Sequence, residues 1–280
     1  MLLEGGIADA YGAGFEFADE KIISLHNKLE SYRVHPKYDC IYKTYSDDTQ
    51  MAIAISELIL ENKDWSKLNI ANKFVEVFKR DPRKGYSSRF YNILNKVNSG
   101  EELIKVIVPK SNRNGAAMRS YPIGIYKDLQ EVKIKSAQQA VITHNTSEGI
   151  LSAQLMALTS HFLIYKKGDK NELKDFLEDE LSQKFNFDYQ STKKMEALPT
   201  VNTVIKLILE NTKMSNCLKA AVDTGNDTDT VASLAVALLS ICSDTKQDLP
   251  NWLYLELENE TYGRDYLDTL DKKLKEFVVK

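Results

Sequence analysis

Cysteine is scarce: Cys40, Cys217 and Cys242 are the three in 280 residues. Odd in number and widely spaced, they form no CxxC pair and no disulfide framework, which fits a reducing compartment. Cys217 and Cys242 read as buried structural thiols. No apolar stretch reaches the ~20 residues that a membrane-spanning helix needs. The opening Met-Leu-Leu-Glu-Gly-Gly lacks the basic region and apolar core of a signal peptide. A cytoplasmic protein with no membrane partner is expected. Positive charge is not in excess either, since 37 Lys and Arg leave a net charge of −3, and nothing points to nucleic acid. The phosphate-loop patterns GxGxxG and GxxxxGKS are missing. Strand-like alternation is nearly absent, and there is no low-complexity linker and no fixed-period repeat.

What remains is ordinary globular composition, 43% hydrophobic and 28% charged, carried on helical periodicity. The expectation is all-α, a single domain over residues 1–280. Residues 1–17, with Gly5, Gly6, Gly12 and Gly14, read as a tightly packed short helix and a turn, carrying Asp9 and Glu16. Residues 20–45 read as an irregular loop, with His26 and His35 on the surface. Helical periodicity over 68–108 is broken by the turn Asp81-Pro82-Arg83-Lys84-Gly85. Asn112, Asn114 and Gly115 mark another turn, and Ala116-Ala117-Met118 reads as a helix start whose N–H groups suit a phosphate or ribose oxygen. Thr143-His144-Asn145 leads into an apolar helix ending near Tyr165, and a lone histidine there reads as structural. Lys166–Asn171 is a polar turn, 172–195 a charged helix and loop, and a last charged helix spans about 264–278.

Two acidic stretches organise the chain. Asp223-Thr-Gly-Asn-Asp-Thr-Asp-Thr230 sets three carboxylates and three hydroxyls before the apolar run Val231–Ile241, which reads as a buried helix. Tyr45-Ser-Asp-Asp-Thr-Gln50 likewise precedes Met51–Leu60. Two independently capped helices would explain both. One carboxylate is enough for a cap, however, and crowded pairs repel unless a cation stands between them. Both stretches offer hard oxygen ligands of the kind Mg²⁺ or Mn²⁺ accepts. An EF-hand beginning at Asp223 fails on Gly225, Thr228 and Leu234, and a DDxxD motif at Asp47 fails on Met51.

Five segments in order, GGIADAYGAGFEF, YSDDTQM, NGAAMRSYPIG, ITH and TGNDTDTVA, resemble the ADP-ribosylglycohydrolase family across nearly the whole chain. The resemblance implies a compact many-helix bundle with two Mg²⁺ or Mn²⁺ ions in a central cleft. It implies metal ligands at Ser46, Asp47, Asp48, Asp227, Asp229 and Thr230, and proton handling by Glu16 or Asp47. The loop Asn114, Gly115, Ala116, Ala117, Met118 and Arg119 would hold ribose and diphosphate through main-chain contacts, and His144 would touch the ribose side. The expected activity is removal of ADP-ribose from modified protein side chains, arginine-linked ahead of serine-linked, by a monomer whose partners are ADP-ribose and an ADP-ribosylated protein. Alternatives are a non-catalytic ADP-ribose-binding or structural relative, and a hydrolase of free derivatives such as O-acetyl-ADP-ribose. The chain departs from the pattern at Ser46 (usually Thr), at Ala8 and Arg113 (usually Gly), and at Asn226 (usually Gly). Asn is the residue that best tolerates a left-handed backbone after glycine.

Overall fold

The computed structural model describes residues 1–166, 170–189 and 192–279. They form α1 (Leu2–Ala13), α2 (Glu20–His26), α3 (Asp47–Leu60), α4 (Lys67–Arg80), α5 (Ser88–Lys96) and α6 (Gly100–Val106). Two short 3₁₀ turns at Asn114–Ala116 and Tyr121–Ile125 precede α7 (Leu129–Ala140) and α8 (Ser147–His161), which ends in a π turn, Phe162–Lys166. The chain continues through α9 (Leu173–Leu181), α10 (Ala197–Glu210), α11 (Met214–Asp223), α12 (Thr228–Leu239), α13 (Asn251–Glu256) and α14 (Arg264–Val279). Among the described residues extended pairing is confined to isolated bridges, such as Lys110 with His144. The all-α expectation holds.

The centre is built from helices with no polar face. Every residue of α12 is buried, as is α3 from Asp47 to Ile59, so both are enclosed on all sides. Helix α12 packs on α1, α10, α11 and α3. The small residues of α1 explain how close its approach is. A Cβ on Gly12 would stand 2.5 Å from the Thr228 carbonyl oxygen and 2.8 Å from Asp229 Cα, and one on Gly5 would stand 3.1 Å from Ala237 Cβ. The glycines therefore serve packing, and that packing brings α1 against the start of α12. Amphipathic helices close the outside: α4 buries Ile70, Phe74, Val77 and Phe78 and exposes Lys67, Glu76 and Lys79, while its buried Lys73 pairs with Glu57, Glu61 and Glu76. Side-chain caps start many of them, with Ser66, Ser87, Ser99 and Thr146 each accepting a backbone N–H from the first turn.

Two expectations need correction. Residues 20–26, placed in an irregular loop, form α2, where Asp19 precedes an Ile-Ile pair and Ile23 is buried. Ala116–Met118 does not begin an α-helix; the chain makes a single 3₁₀ turn at Asn114–Ala116 and another at Tyr121–Ile125. Of the polar turn expected at 166–171, residues 167–169 lie outside the described residues, as do 190 and 191 of the expected 172–195 loop. The buried thiols Cys217 and Cys242 are as expected.

Candidate active site

The two acidic helix starts meet. Asp47, Asp48, Asp227, Asp229 and Thr230 line one cleft of about 640 Å³, together with Glu16 from the turn after α1. Glu16, Asp227 and Asp229 each bring a carboxylate oxygen within 4.8 Å of the others. Asp223, the third carboxylate of its stretch, stays outside: it is exposed and accepts from Asn27 Nδ2 at 2.8 Å.

Capping does not explain these carboxylates. Asp227 is the N-cap residue of α12, yet its side chain makes no capping hydrogen bond; it accepts instead from Asn114 Nδ2. At the start of α3 much of the capping falls to Asp9 of α1. Its carboxylate accepts from the Ser46 N–H at 3.0 Å, the Thr49 N–H at 3.1 Å and the Thr49 hydroxyl at 2.7 Å. Ser46 Oγ donates to Asp48 Oδ2 at 3.3 Å, while Asp48 Oδ1 is buried with no hydrogen-bond partner. A buried carboxylate oxygen left bare is costly unless something positive sits against it.

Electrostatics agree. Burial first, then neighbouring carboxylates, drives Asp47, Asp48, Asp227 and Asp229 well above the usual carboxylate range. Burial and Asp227 push Glu16 up to about 8. These are the shifts of an acidic cluster with no cation in it, and a divalent ion reverses them. The metal-free protein therefore has a pH signature. The unfolded chain releases the Glu16 proton near 4.5 and the folded chain holds it to about 8, so the stability it contributes is full below 4.5 and lost as pH rises through 8. The four aspartates act in the same sense. Thermal unfolding in EDTA is expected to show a melting temperature that falls across this window, and saturating Mg²⁺ is expected to restore it; a melting temperature that climbs from pH 5 to 8 in EDTA would contradict the assignment.

The loop after α6 supplies the other wall. Asn114, Gly115, Met118 and Arg119 line the cleft, while Ala116 and Ala117 are wholly buried behind it. The Arg119 guanidinium is fully enclosed. It donates to Gly115 O at 2.6 Å, Gln139 Oε1 at 2.5 Å, Gln139 O at 3.1 Å and Thr143 Oγ1 at 2.8 Å, and lies 4.7 Å from the Phe74 ring centroid. It holds the loop in shape. His144 Nδ1 pairs with Thr143 Oγ1 at 2.6 Å. Thr143 Oγ1 accepts from Arg119, and Nδ1 is the acceptor its own hydrogen finds among the described residues; donation there leaves the ring hydrogen on Nε2. Burial and then Arg119 push His144 down to about 3, so it faces the cleft as a neutral donor.

Three contributors were not picked out from sequence. His35, expected on the surface, is 2% exposed and pairs with Glu16. The clue lay in His-Pro-Lys-Tyr, a tight turn that can fold a side chain back on its own backbone. Asp9 was noted as acidic but not as the cap of a distant helix. Gly85, in the expected turn, holds φ +109°, and a Cβ there would stand 2.1 Å from Asp47 Oδ1; the Asp47 N–H donates to Lys84 O at 3.0 Å. Gly85→Ala is thus expected to displace the Asp47 carboxylate and cut turnover about 10- to 100-fold, with far-ultraviolet circular dichroism unchanged; a variant of wild-type rate would show that Asp47 is not needed where it stands. Asn226, by contrast, behaves as the sequence suggests, at φ +63°.

Fold and site together define an all-α protein built around one cleft of clustered carboxylates. The comparisons name it: the sequence matches the ADP-ribosylglycohydrolase family over residues 1–278, and the chain belongs to that family. Among curated relatives, the ADP-ribosylhydrolase ARH3 of Xenopus tropicalis is 26% identical over 270 residues, covering 75% of this chain and 76% of the relative. The human ADP-ribosylhydrolase ARH3 is 30% identical over 174 residues, 56% of this chain and 47% of the relative. The chain thus spans between about half and three quarters of these two relatives' length. A solved structure described as an "ADP-ribosylglycohydrolase-related protein complex" superposes with a TM-score of 0.76 over 99% of this chain and 96% of that one at 16% identity, a likeness of fold. No helix among the described residues is long and apolar enough to cross a membrane.

Proposed function

We propose that this protein is a metal-dependent hydrolase that releases ADP-ribose from modified protein side chains. The observation that carries the reading is the convergence of two acidic helix starts on one cleft, with a buried Asp48 oxygen left bare and an Asp227 that does not cap. Ser46, Asp47, Asp48, Asp227, Asp229 and Thr230 would hold two Mg²⁺ or Mn²⁺ ions, a donor set of hard oxygens that suits either. When bound, such ions polarise the ribose hydroxyls and make water a better nucleophile.

The chain's own groups account for the rest. Water adds to the anomeric carbon as the bond to the side-chain nitrogen or oxygen breaks, through an oxocarbenium-like state. Glu16 or Asp47 takes the proton from that water and gives it up to the departing nitrogen or oxygen, which restores the carboxylate. His144 Nε2–H donates to a ribose oxygen, and the Asn114–Met118 loop, braced by Arg119, receives the diphosphate where Asn114, Gly115 and Met118 line the cleft. Arginine-linked substrate is placed ahead of serine-linked as the order to be tested.

Release of ADP-ribose from arginine-modified and serine-modified protein tests this directly. Release from the first at the higher rate is the expected result. Release from serine alone would reverse the order of linkages, and release from neither, with ADP-ribose bound in calorimetry, would make the protein a binder.

A further inference from the structure

We propose that His35 is a positioning residue for Glu16, fixing which oxygen of that carboxylate faces the reacting ribose. This rests on the hydrolase reading above. The argument begins with the backbone. His35 Nδ1 accepts two main-chain hydrogen bonds, from the Lys37 N–H at 2.9 Å and the Tyr38 N–H at 3.2 Å. A nitrogen that accepts from two N–H groups carries no hydrogen, so the ring hydrogen sits on Nε2. Nε2 points at Glu16 Oε2 and donates to it.

The ring cannot turn away from this duty. It is 2% exposed and packs against the Tyr38 ring with centroids 5.0 Å apart. The His35 N–H donates to Ile41 O at 2.9 Å, which ties the loop to itself. Glu16 is held from the other side through its neighbour, since the Phe17 N–H donates to Asn226 O at 2.8 Å, beside the acidic start of α12. With Oε2 committed to His35, Oε1 is the oxygen without a hydrogen bond among the described residues, and Glu16 lines the cleft. A neutral donor fixes the carboxylate without neutralising it, so Glu16 keeps its capacity to take a proton. Such support of an active-site group by a second hydrogen-bonding residue decides whether it stands within the tolerance chemistry needs.

The test compares wild type, His35→Ala and His35→Gln, the last because the Gln Nε2 amide reaches the same oxygen. His35→Ala is expected to lower kcat about 10- to 100-fold, with KM and calorimetric affinity for ADP-ribose nearly unchanged, and His35→Gln to regain most of the loss. Long-range proton–nitrogen NMR of the wild-type ring at neutral pH is expected to show hydrogen on Nε2 and none on Nδ1. An active wild type with His35→Ala of equal kcat would overturn the inference, as would a change confined to KM. If His35→Ala does not fold, a folded His35→Gln as impaired as Glu16→Ala would overturn it too, and one near wild type would support it. An inactive wild type would instead sink the hydrolase reading, and the NMR tautomer then decides the inference: hydrogen on Nδ1 refutes it.

Discussion

Asp229→Asn is expected to slow ADP-ribose release on the order of a thousandfold while making the metal-free protein more stable. Asn is the same shape, and its Oδ1 can still accept the Thr230 N–H that Asp229 accepts at 2.9 Å. The start of α12 should therefore survive. What is lost is a negative charge that burial, Glu16, Asp9 and Asp47 all penalise in the absence of a cation. Removing it relieves repulsion, a gain on the order of 1 kcal/mol for a site strained for function. Thermal melts in EDTA and in Mg²⁺ read both effects: the variant should melt higher than wild type in EDTA, and Mg²⁺ should raise it less. A variant that turns over at the wild-type rate in EDTA would end the metal mechanism.

Gly12→Val is the largest expected effect on the fold. The atoms a Cβ would meet are the Thr228 carbonyl group and Asp229 Cα, all backbone, so no rotamer change makes room. The Thr228 hydroxyl also donates to Gly12 O at 2.8 Å, which ties the two helices at the point of closest approach. Separating them is expected to cost about 3 kcal/mol and to move Asp227 and Asp229 away from Glu16. Urea unfolding gives the first number and turnover of the surviving folded fraction the second. Wild-type stability in Gly12→Val would mean that α1 and α12 do not cross there.

The legible part of this fold was the part written in local pattern. Val231–Ile241 announces a buried helix because it is apolar all round, and the glycines of α1 announce a close approach without saying to what. The matching pattern of the two acidic stretches raises a shared cation, but nothing local says that Asp47 and Asp229 line one cleft; only the family resemblance implies it. Long-range hydrogen bonds were invisible for the same reason. Asp9 caps a helix that starts at residue 47, 38 residues further along the chain. His35 departs from the expectation because a histidine in a polar loop is usually solvated, and here two backbone N–H groups fold it inward. Gly85 looked like a turn residue and is one, but its missing side chain also makes room for the Asp47 carboxylate.

The claim at the centre is that the carboxylates of α3 and α12 work by holding divalent cations. Its most direct test is single-turnover release of ADP-ribose by wild-type protein, stripped with EDTA and then titrated with Mg²⁺ or Mn²⁺. Release that is lost on stripping and returns with the titrated ion, in step with a rise in melting temperature, is the predicted result. Undiminished release by the stripped protein would contradict the account.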